Sequence, residues 1–294
     1  MYRLAHFSDP HLGPLPRPSP WQLMSKRITG YVNWRRNRGK TFSDLFLNAL
    51  MHDLHEQQAD HVALTGDLVN IALPEETHLA GVWLRRIGKA EQISLVPGNH
   101  DAYTGAGLKR ALHEWRPYML SDGGTGDPEF PYLRRRGPLA IIGCSSAIAT
   151  LPFMATGMFL AAQAEATAQL LHQTQDSFRV VLIHHPPFPN ATPFHKRLIG
   201  ASKFREMIAD CGAELVLHGH THIHSYNEIA GPGGDIPVIG VPSASNGPGH
   251  KSPAGCYNLF AIKGEPGHWQ INWQKRGVLD AQGTIGPVGE PLVL

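Results

Sequence analysis

The sequence predicts a layered α/β fold, and three observations support this prediction. Short apolar runs alternate with longer stretches of helical periodicity. Most of the apolar runs are followed at once by polar residues of a metal-binding type. The chain has 294 residues, 42% of them hydrophobic and 17% charged, which is enough to bury a large core. We expect one large domain over residues 1–276, followed by a tail over residues 277–294 with little to pack against.

Five apolar runs are predicted to be strands that end at a shared edge. They cover residues 3–7, 61–64, 92–96, 178–183 and 214–217. In open α/β sheets, the loops after the carboxyl ends of the strands converge. Five loops that are far apart in sequence can therefore share one pocket.

Helical periodicity between these runs predicts helices over residues 42–57, 74–89, 105–115, 158–173 and 202–211. The last third contains runs over residues 237–241, 255–262 and 268–275 that are predicted to be strands joined by turns. We expect these strands to form an antiparallel sheet that faces the first sheet. The basic run over residues 134–136 is interpreted as a solvated turn.

Charge and cysteine content exclude several classes of protein. The formal net charge of +2 is too small to attract nucleic acid or membrane through the overall field. Nucleic acid is therefore not expected as a partner. Cys144, Cys211 and Cys256 are odd in number and far apart, which favours small buried side chains in a reducing cytoplasm. No signal segment or membrane span is apparent, and a cytoplasmic location is expected.

Carboxylates and imidazoles after the predicted strands form a candidate metal site. Two cations about 4 Å apart need carboxylates, imidazoles and an anionic ligand that bridges them. Asp9 and His11 are two residues apart, so in an extended segment their side chains point the same way. Asp67 follows a glycine that permits a sharp turn, and it is the candidate bridge. The full set of candidate ligands is Asp9, His11, Asp67, Asn99, His184, His220 and His222.

This ordered set resembles the signature of the calcineurin-like metallophosphoesterases, and in particular their class III cyclic-nucleotide phosphodiesterase-like branch. The matching blocks are Asp9-x-His11, Gly66-Asp67, Gly98-Asn99-His100-Asp101, His184 and Gly219-His220-x-His222, in family order. The resemblance implies a four-layer αββα sandwich, with two facing mixed β-sheets flanked by helices. It also implies two divalent metal ions, for which nitrogen and oxygen ligands suit Mn, Fe, Zn or Co.

Matching positions imply a role for each residue. One metal ion would be held by Asp9, His11, Asp67 and His222, and the other by Asp67, Asn99, His184 and His220. His100 resembles the family histidine that contacts the phosphate and helps the leaving oxygen depart. His185 is a candidate substrate contact, and a structural role is equally open for His185, His218 and His224.

The histidine pattern near the last block also permits a different interpretation. His218, His220, His222 and His224 alternate along the chain. On a strand they would share one face and form a surface zinc site.

The leading functional hypothesis is a phosphodiesterase that cleaves a small, cyclic-nucleotide-like phosphodiester by in-line attack of a metal-bridging hydroxide. A second hypothesis is a phosphodiesterase or pyrophosphatase acting on a lipid-linked or glycerol phosphodiester at a membrane surface. A third, from another class, is a non-catalytic metal-dependent scaffold. The presence of His100 argues against the scaffold, because a scaffold needs no acid for a leaving group.

Residues 14–40 form a basic, aromatic insertion that the family signature does not explain. Trp21, Tyr31 and Trp34 lie among several lysines and arginines. Its aromatic side either packs on the domain and leaves a solvated basic face, or residues 21–40 grip an anionic lipid surface or a nucleotide. The first interpretation is favoured from the sequence.

Overall fold

A computed structural model describes residues 1–38, 42–249 and 252–294, with residues 37 and 38 described by their backbone alone. Strands and helices alternate along these residues. The strands are β1 (Tyr2–Phe7), β2 (His61–Leu64), β3 (Ile93–Leu95), β4 (Tyr132–Arg136), β5 (Leu139–Gly143), β6 (Gly157–Met158), β7 (Phe178–Leu182), β8 (Leu198–Ile199), β9 (Leu215–His218), β10 (Ser225–Gly231), β11 (Gly234–Gly240), β12 (Cys256–Lys263), β13 (Gln270–Val278), β14 (Ile285–Pro287) and β15 (Leu292–Val293). The helices are α1 (Pro20–Leu23), α2 (Arg27–Asn33), α3 (Asp44–Glu56), α4 (Pro74–Ile87), α5 (Gly105–Glu114), α6 (Ala161–Gln173) and α7 (Ala201–Cys211).

Two mixed sheets contain most of the strands. The first has the order β14-β13-β12-β1-β2-β3, with β15 also paired to β13, and the second has the order β10-β11-β9-β7-β5-β4. Strands β1, β2 and β3 run parallel, as do β5, β7, β9 and β11. The carboxyl ends of each parallel set therefore point to one edge of its sheet.

The central strands β5, β7 and β9 of the second sheet are buried on both faces, which is the reason their residues are mostly apolar. In β7, Val180 and Leu182 belong to the larger core shared with the first sheet. Val181, between them, belongs to a second core that also contains Phe204 and Ile208 of α7. Because side chains alternate between the faces of a strand, the second sheet lies between the first sheet and α6–α7. This layering confirms the predicted sandwich of two facing mixed β-sheets flanked by helices.

Local sequence features explain where the main helices begin. The Ser43 hydroxyl accepts a hydrogen bond from the Leu45 amide at the start of α3, and Thr104 caps α5 through the Gly107 amide. Helix α4 begins at Pro74, where a missing N–H has no cost. The helices predicted from periodicity are present, with ends that differ by a few residues.

The C-terminal strands do not form the separate facing antiparallel sheet expected from the sequence. Instead, β12 pairs antiparallel with β1, and β11 pairs parallel with β9. Each sheet is thus completed by strands from the last third of the chain. The residues after Gly277 are expected to have little to pack against, but in the structure β14 and β15 pair with β13. The division of the chain into residues 1–276 and 277–294 stays a prediction.

The interpretation of residues 134–136 as a solvated turn is wrong. They lie in β4, and Arg134 is only 3% exposed. Its guanidinium donates to the carbonyls of Leu120, Ala90, Ile93 and Pro117. A buried arginine is tolerated here because these carbonyl oxygens satisfy its N–H groups.

The basic aromatic insertion packs on the domain in part. Tyr31 and Trp34 are half-buried against the main core, and Arg27 donates to the carbonyls of Ile71 and Ala72. Trp21 is exposed. Lys40, at the end of the insertion, lies outside the described residues.

Cys144, Cys211 and Cys256 are buried free thiols, in keeping with their predicted role as small apolar side chains. Among the described residues, no helix is both long and apolar enough to cross a bilayer.

Candidate metal centre

The predicted ligands lie in loops at the carboxyl ends of β1, β2, β3, β7 and β9, where the two sheets meet. Five of them have left-handed backbones, with φ between 40° and 68°: Asp9, His11, Asp67, His220 and His222. Asp and His tolerate this region better than most side chains, but it is still a strained conformation. The backbone at this site is therefore set by the surrounding loops. Asp9 and His11 do come together, but through left-handed turns and not through an extended segment.

Glycines permit the close approach of these loops. A Cβ on Gly98 would lie 2.6 Å from the backbone nitrogen of Asp67, and a Cβ on Gly219 would lie 2.5 Å from Asp9 Oδ2. Both distances are well inside normal contact. The glycines before Asn99 and His220 are thus required by the packing of the loop against a ligand carboxylate.

One group of ligands surrounds Asp9. The Nε2 atom of His222 lies 3.0 Å from Asp9 Oδ1, and His11 Nε2 lies 3.9 Å from the same oxygen. His11 Nε2 is also 4.0 Å from Asp67 Oδ2. These distances leave the donor atoms of Asp9, His11, Asp67 and His222 facing a common space.

A second group lies on the other side of Asp67. His184 Nε2 lies 3.4 Å from Asp67 Oδ2 and 3.2 Å from Asn99 Oδ1. The ring of His220 lies 5.1 Å from that of His184, between centroids. Asp67 therefore lies between the two groups, and its role as a bridge between two ions stays a prediction.

Backbone carbonyls fix the orientation of the site's histidines. His11 Nδ1–H donates to Val69 O (3.2 Å) and His184 Nδ1–H donates to Thr65 O (2.6 Å). His220 Nε2–H donates to the carbonyl of Lys196 (3.0 Å). In each ring the carbonyl fixes one nitrogen as a hydrogen-bond donor, so the opposite nitrogen is the one that could bind a metal ion.

Charges in the site favour a cation beside the carboxylates. Burial alone would raise the pKa of Asp67, but His184, His100 and His11 lower it well below its ordinary value. Burial would likewise lower the pKa of His184, yet Asp67 raises it to about 9. The buried carboxylate of Asp67 therefore attracts positive charge at this position.

The donor set is suited to divalent ions. Three-residue groups of donor atoms lie within 4.8 Å of one another, and they are Asp9–His11–His222, Asp9–Asp67–His184, His11–Asp67–His100 and His184–His185–His220. Buried carboxylates offset the charge of a cation, and imidazoles suit borderline metals. Burial lowers the pKa of His220 well below its ordinary value, which keeps this ring neutral and able to bind. The residues present therefore fit divalent metal ions.

Asp101 holds the two central loops together without facing the ligand cluster. Its carboxylate accepts hydrogen bonds from the amides of Asp67, Leu68, Val69 and Gly98. Burial, with the adjacent charge of Asp67, raises its pKa to about 7, while the N–H donors act in the opposite direction. Asp101 thus holds the loop after β2 against the loop after β3.

His100 lies beside the ligands, at the wall of the cavity. Its backbone N–H donates to Asp67 Oδ1 (2.6 Å), and its Nδ1–H donates to the carbonyl of Asn70. The ring stacks on Tyr103 and meets the ring of His11 edge to face. The contact with Asn70 leaves Nε2 as the atom through which His100 can give or take a proton.

His185 and His218 make contacts within the protein. Both ring nitrogens of His185 contact protein atoms, Ser146 Oγ at 2.8 Å and the Ala155 carbonyl at 3.1 Å. Its ring lies 4.3 Å from that of His220, so in this structure it supports a predicted ligand; a substrate contact stays a prediction. His218 contacts Ser225.

The alternating histidines do not share a strand face. Strand β9 ends at His218 and β10 begins at Ser225, while His220 and His222 lie between them in left-handed conformations. The arrangement expected for a surface zinc site is therefore absent from this described segment.

A cavity of about 600 Å³ opens over the ligands. Its lining includes Asp67, Asn99, His100, His220 and His222, together with Lys26, Thr29, Gly30, Asn33, Phe42, Tyr103, Phe153, Met154, Ala155, His195, Lys196, Thr221, Asn246 and Ser252. Sequence reasoning missed Phe42, whose ring stacks on His11 at 4.7 Å between centroids, and Tyr103. No spacing signal marks these aromatic residues, because they reach the cavity from unrelated segments. The basic insertion was noted, but its position as a cavity wall was not foreseen.

Comparisons with known proteins agree with this geometry. A family model described as calcineurin-like phosphoesterase matches residues 2–224. No curated protein gives a significant match to the sequence.

Several solved structures have a similar fold. The purple acid phosphatase PPD1 from yellow lupin (Lupinus luteus) seeds aligns with a TM-score of 0.56 and 11% identity, covering 94% of this chain and 51% of that one. The sulfate thiohydrolase SoxB of Thermus thermophilus, in complex with glycerol, aligns with 0.53 and 16%, covering 92% and 56%. A 5'-nucleotidase precursor, also from Thermus thermophilus, aligns with 0.51 and 14%, covering 100% and 54%. This chain spans about half the length of each, and at these identities the likeness shows the fold.

Proposed function

Because the chain belongs to the calcineurin-like phosphoesterase family, we propose that it is a metal-dependent phosphodiesterase acting on a small phosphodiester. The observation that carries this proposal is the convergence of the predicted ligands on Asp67, with His100 beside them at the wall of one cavity. A hydrolytic site of this kind needs ligands, an acid for the leaving group and room for a substrate, and the cavity offers all three.

The proposed ligands divide around Asp67. Asp9, His11, Asp67 and His222 would hold one divalent ion, and Asp67, Asn99, His184 and His220 would hold the other. When bound, two such ions lower the pKa of a water molecule and neutralise the phosphate oxygens that it attacks. Manganese, iron, zinc and cobalt all suit these nitrogen and oxygen donors.

His100 is proposed to donate a proton to the leaving oxygen. The carbonyl of Asn70 fixes its Nδ1–H, so the transferred proton is carried on Nε2. Stacking on Tyr103 restricts the ring, which reduces the reorganisation needed during the reaction. General acid catalysis of this type contributes about 100-fold or more to the rate.

The form of the cavity supports a diester substrate. A diester carries a second group on phosphorus, which needs space beyond the ligands. That space is lined by Tyr103, Phe153 and Met154, with the ammonium of Lys26 among them. Aromatic and cationic groups together suit a nucleotide-like or glycerol-linked phosphodiester. A cyclic nucleotide is the first substrate to test.

The test uses the full chain loaded with Mn²⁺. Hydrolysis of bis(p-nitrophenyl) phosphate is compared with hydrolysis of cyclic nucleotides and glycerophosphodiesters, for the parent and for His100→Gln. We expect kcat to fall by about 100-fold in the variant on substrates with poor leaving groups, and by much less on the nitrophenyl ester. His52→Gln is the matched control, because His52 lies on the exposed surface of α3.

Two results would contradict the proposal. The first is a parent protein that binds Mn²⁺ but hydrolyses none of these phosphoesters, which would favour a metal-dependent scaffold. The second is a His100→Gln variant with the same dependence on the leaving group as the parent, which would remove His100 from the reaction.

A further inference from the structure

Five large apolar side chains are exposed on segments that also line the cavity. They are Trp21, Met24, Leu151, Phe153 and Phe194, each between 72% and 81% exposed, and we name them the apolar rim. Single exposed apolar residues are ordinary on a protein surface, but a group beside one cavity is not. The rim therefore needs an explanation that the proposed chemistry does not supply.

Hydrogen bonds bring the segments that carry the rim together. The ammonium of Lys26 donates to Thr150 Oγ1 (2.6 Å) and to the carbonyl of Met154 (2.8 Å). Three rim residues lie within two positions of these hydrogen-bonded residues. Met24 lies two positions before Lys26, Leu151 directly follows Thr150 and Phe153 directly precedes Met154.

The other two rim residues are tied to the same cluster. The amide of Met24 donates to the carbonyl of Trp21, which joins both to α1. The amide of Ala155 donates to the carbonyl of His195 (2.8 Å), next to Phe194. These hydrogen bonds thus hold together the three distant segments that carry the rim.

The charged residues of these segments are all lysines and arginines. Between residues 12 and 43 there are seven lysines and arginines and no acidic residue, although the whole chain has a net charge of only +2. Arg17, Arg35 and Arg36 are exposed. The segments over residues 145–164 and 187–205 also contain no acidic residue. Near Phe194, the guanidinium of Arg197 lies 3.5 Å from the ring centroid.

We propose that the apolar rim docks on an anionic lipid bilayer and places the mouth of the cavity against the lipid surface. Tryptophan and phenylalanine insert at the boundary between headgroups and acyl chains, and surrounding arginines are attracted to anionic headgroups. This proposal goes beyond the proposed function, because docking does not depend on hydrolysis.

The test measures binding of the full, Mn²⁺-loaded chain to vesicles by co-sedimentation. We expect binding to phosphatidylcholine vesicles that contain about 30% phosphatidylglycerol, and much weaker binding to phosphatidylcholine alone. Raising the salt from about 0.1 M to about 1 M should weaken the binding, because exposed charges are screened.

A double variant tests the apolar contribution. Trp21→Ser with Leu151→Ser is expected to lower the partition coefficient by about tenfold or more. The control is Leu79→Ser with Val293→Ser, which changes side chains that are 52% and 76% exposed and lie outside the rim. Circular dichroism confirms that both double variants are folded.

Three results would overturn the proposal. One is a parent that stays in the supernatant with anionic vesicles, and another is a rim variant that binds as the parent does. The third is light scattering that shows a parent dimer converted to a monomer by the rim variant, since the rim would then be covered by a second copy.

Trp21 and Leu151 do not line the cavity, so turnover of soluble bis(p-nitrophenyl) phosphate should be unchanged in the rim variant. If the parent binds vesicles but hydrolyses no phosphoester, that result contradicts the proposed function and leaves the docking proposal standing.

Discussion

Replacing Gly98 by alanine is expected to weaken metal binding through a purely steric effect on Asp67. The new methyl group would lie 2.8 Å from Asp67 Cγ and 2.6 Å from its backbone nitrogen, and closer still to Oδ1. Carbon atoms in contact are separated by about 3.5 Å or more. Asp67 or the loop of Gly98 must therefore move by roughly 0.7 Å.

A displacement of this size is large for a metal ligand. Ligand distances are held within about 0.2 Å of their ideal values, and disturbing the support of a ligand typically costs about 10–100-fold in affinity. Asp67 is also buried, so the loop cannot move freely into solvent. We expect Mn²⁺ affinity to fall by about 10–100-fold, and the free energy of unfolding of the metal-free protein to fall by about 1–3 kcal/mol.

Isothermal titration with Mn²⁺ measures the affinity, and urea unfolding without metal measures the stability. Gly105→Ala is the matched control, because a Cβ at Gly105 would meet nothing within 4 Å. A Gly98→Ala protein that binds Mn²⁺ as tightly as the parent would refute the steric argument, and with it the position assigned to Asp67.

Three further predictions concern stability. Adding Mn²⁺ should raise the Tm with increasing concentration, and a chelator should reverse this, since an ion that binds only the native state stabilises it; a Tm independent of Mn²⁺ would contradict the metal centre. Burial lowers the pKa of His6 and of His61 to about 3, so the unfolded chain binds protons that the native state does not. Below about pH 6.5 the free energy of unfolding should fall by about 1.4 kcal/mol per pH unit for each histidine, and urea unfolding of His61→Asn at about pH 7 and about pH 5 should show a weaker dependence than the parent. Burial would raise the pKa of Asp53, but hydrogen bonds from Arg276 and Tyr257 lower it. The carboxylate therefore contributes to the free energy of unfolding above the ordinary Asp pKa, and this contribution is lost as the pH falls below that value. Asp53→Asn should lower the free energy of unfolding by about 3 kcal/mol at neutral pH because Arg276 loses its charged partner, and a loss below about 1 kcal/mol in urea would mean that the pair is solvent-screened.

The site could be predicted well from the sequence because its signals are local. Each ligand block follows an apolar run, and strands can be recognised from composition and length without knowledge of their partners. Asp9, Asp67 and His184 were each placed after a strand, and the structure brings all three within 4.8 Å of one another. Glycines before the ligands marked the tight turns.

The tertiary structure decided what depends on distant partners. No local feature shows that β12 pairs with β1, more than 240 residues away, and the C-terminal sheet was misplaced for this reason. The environment of Arg134 could not be predicted because the four carbonyls that accept from its guanidinium come from two other segments, residues 90–93 and 117–120.

By itself, the sequence determined eight of the described strands, five of the described helices, the identity of the candidate ligands and the family. Hydrophobic periodicity and residue chemistry are properties of a short segment, so they can be recognised without the fold. Only the tertiary structure decided the left-handed backbones of the ligands, the carbonyls that orient His11, His184 and His220, and the joining of three segments into the apolar rim. These features arise from contacts between residues far apart in the chain, and such contacts form only once the sheets have paired.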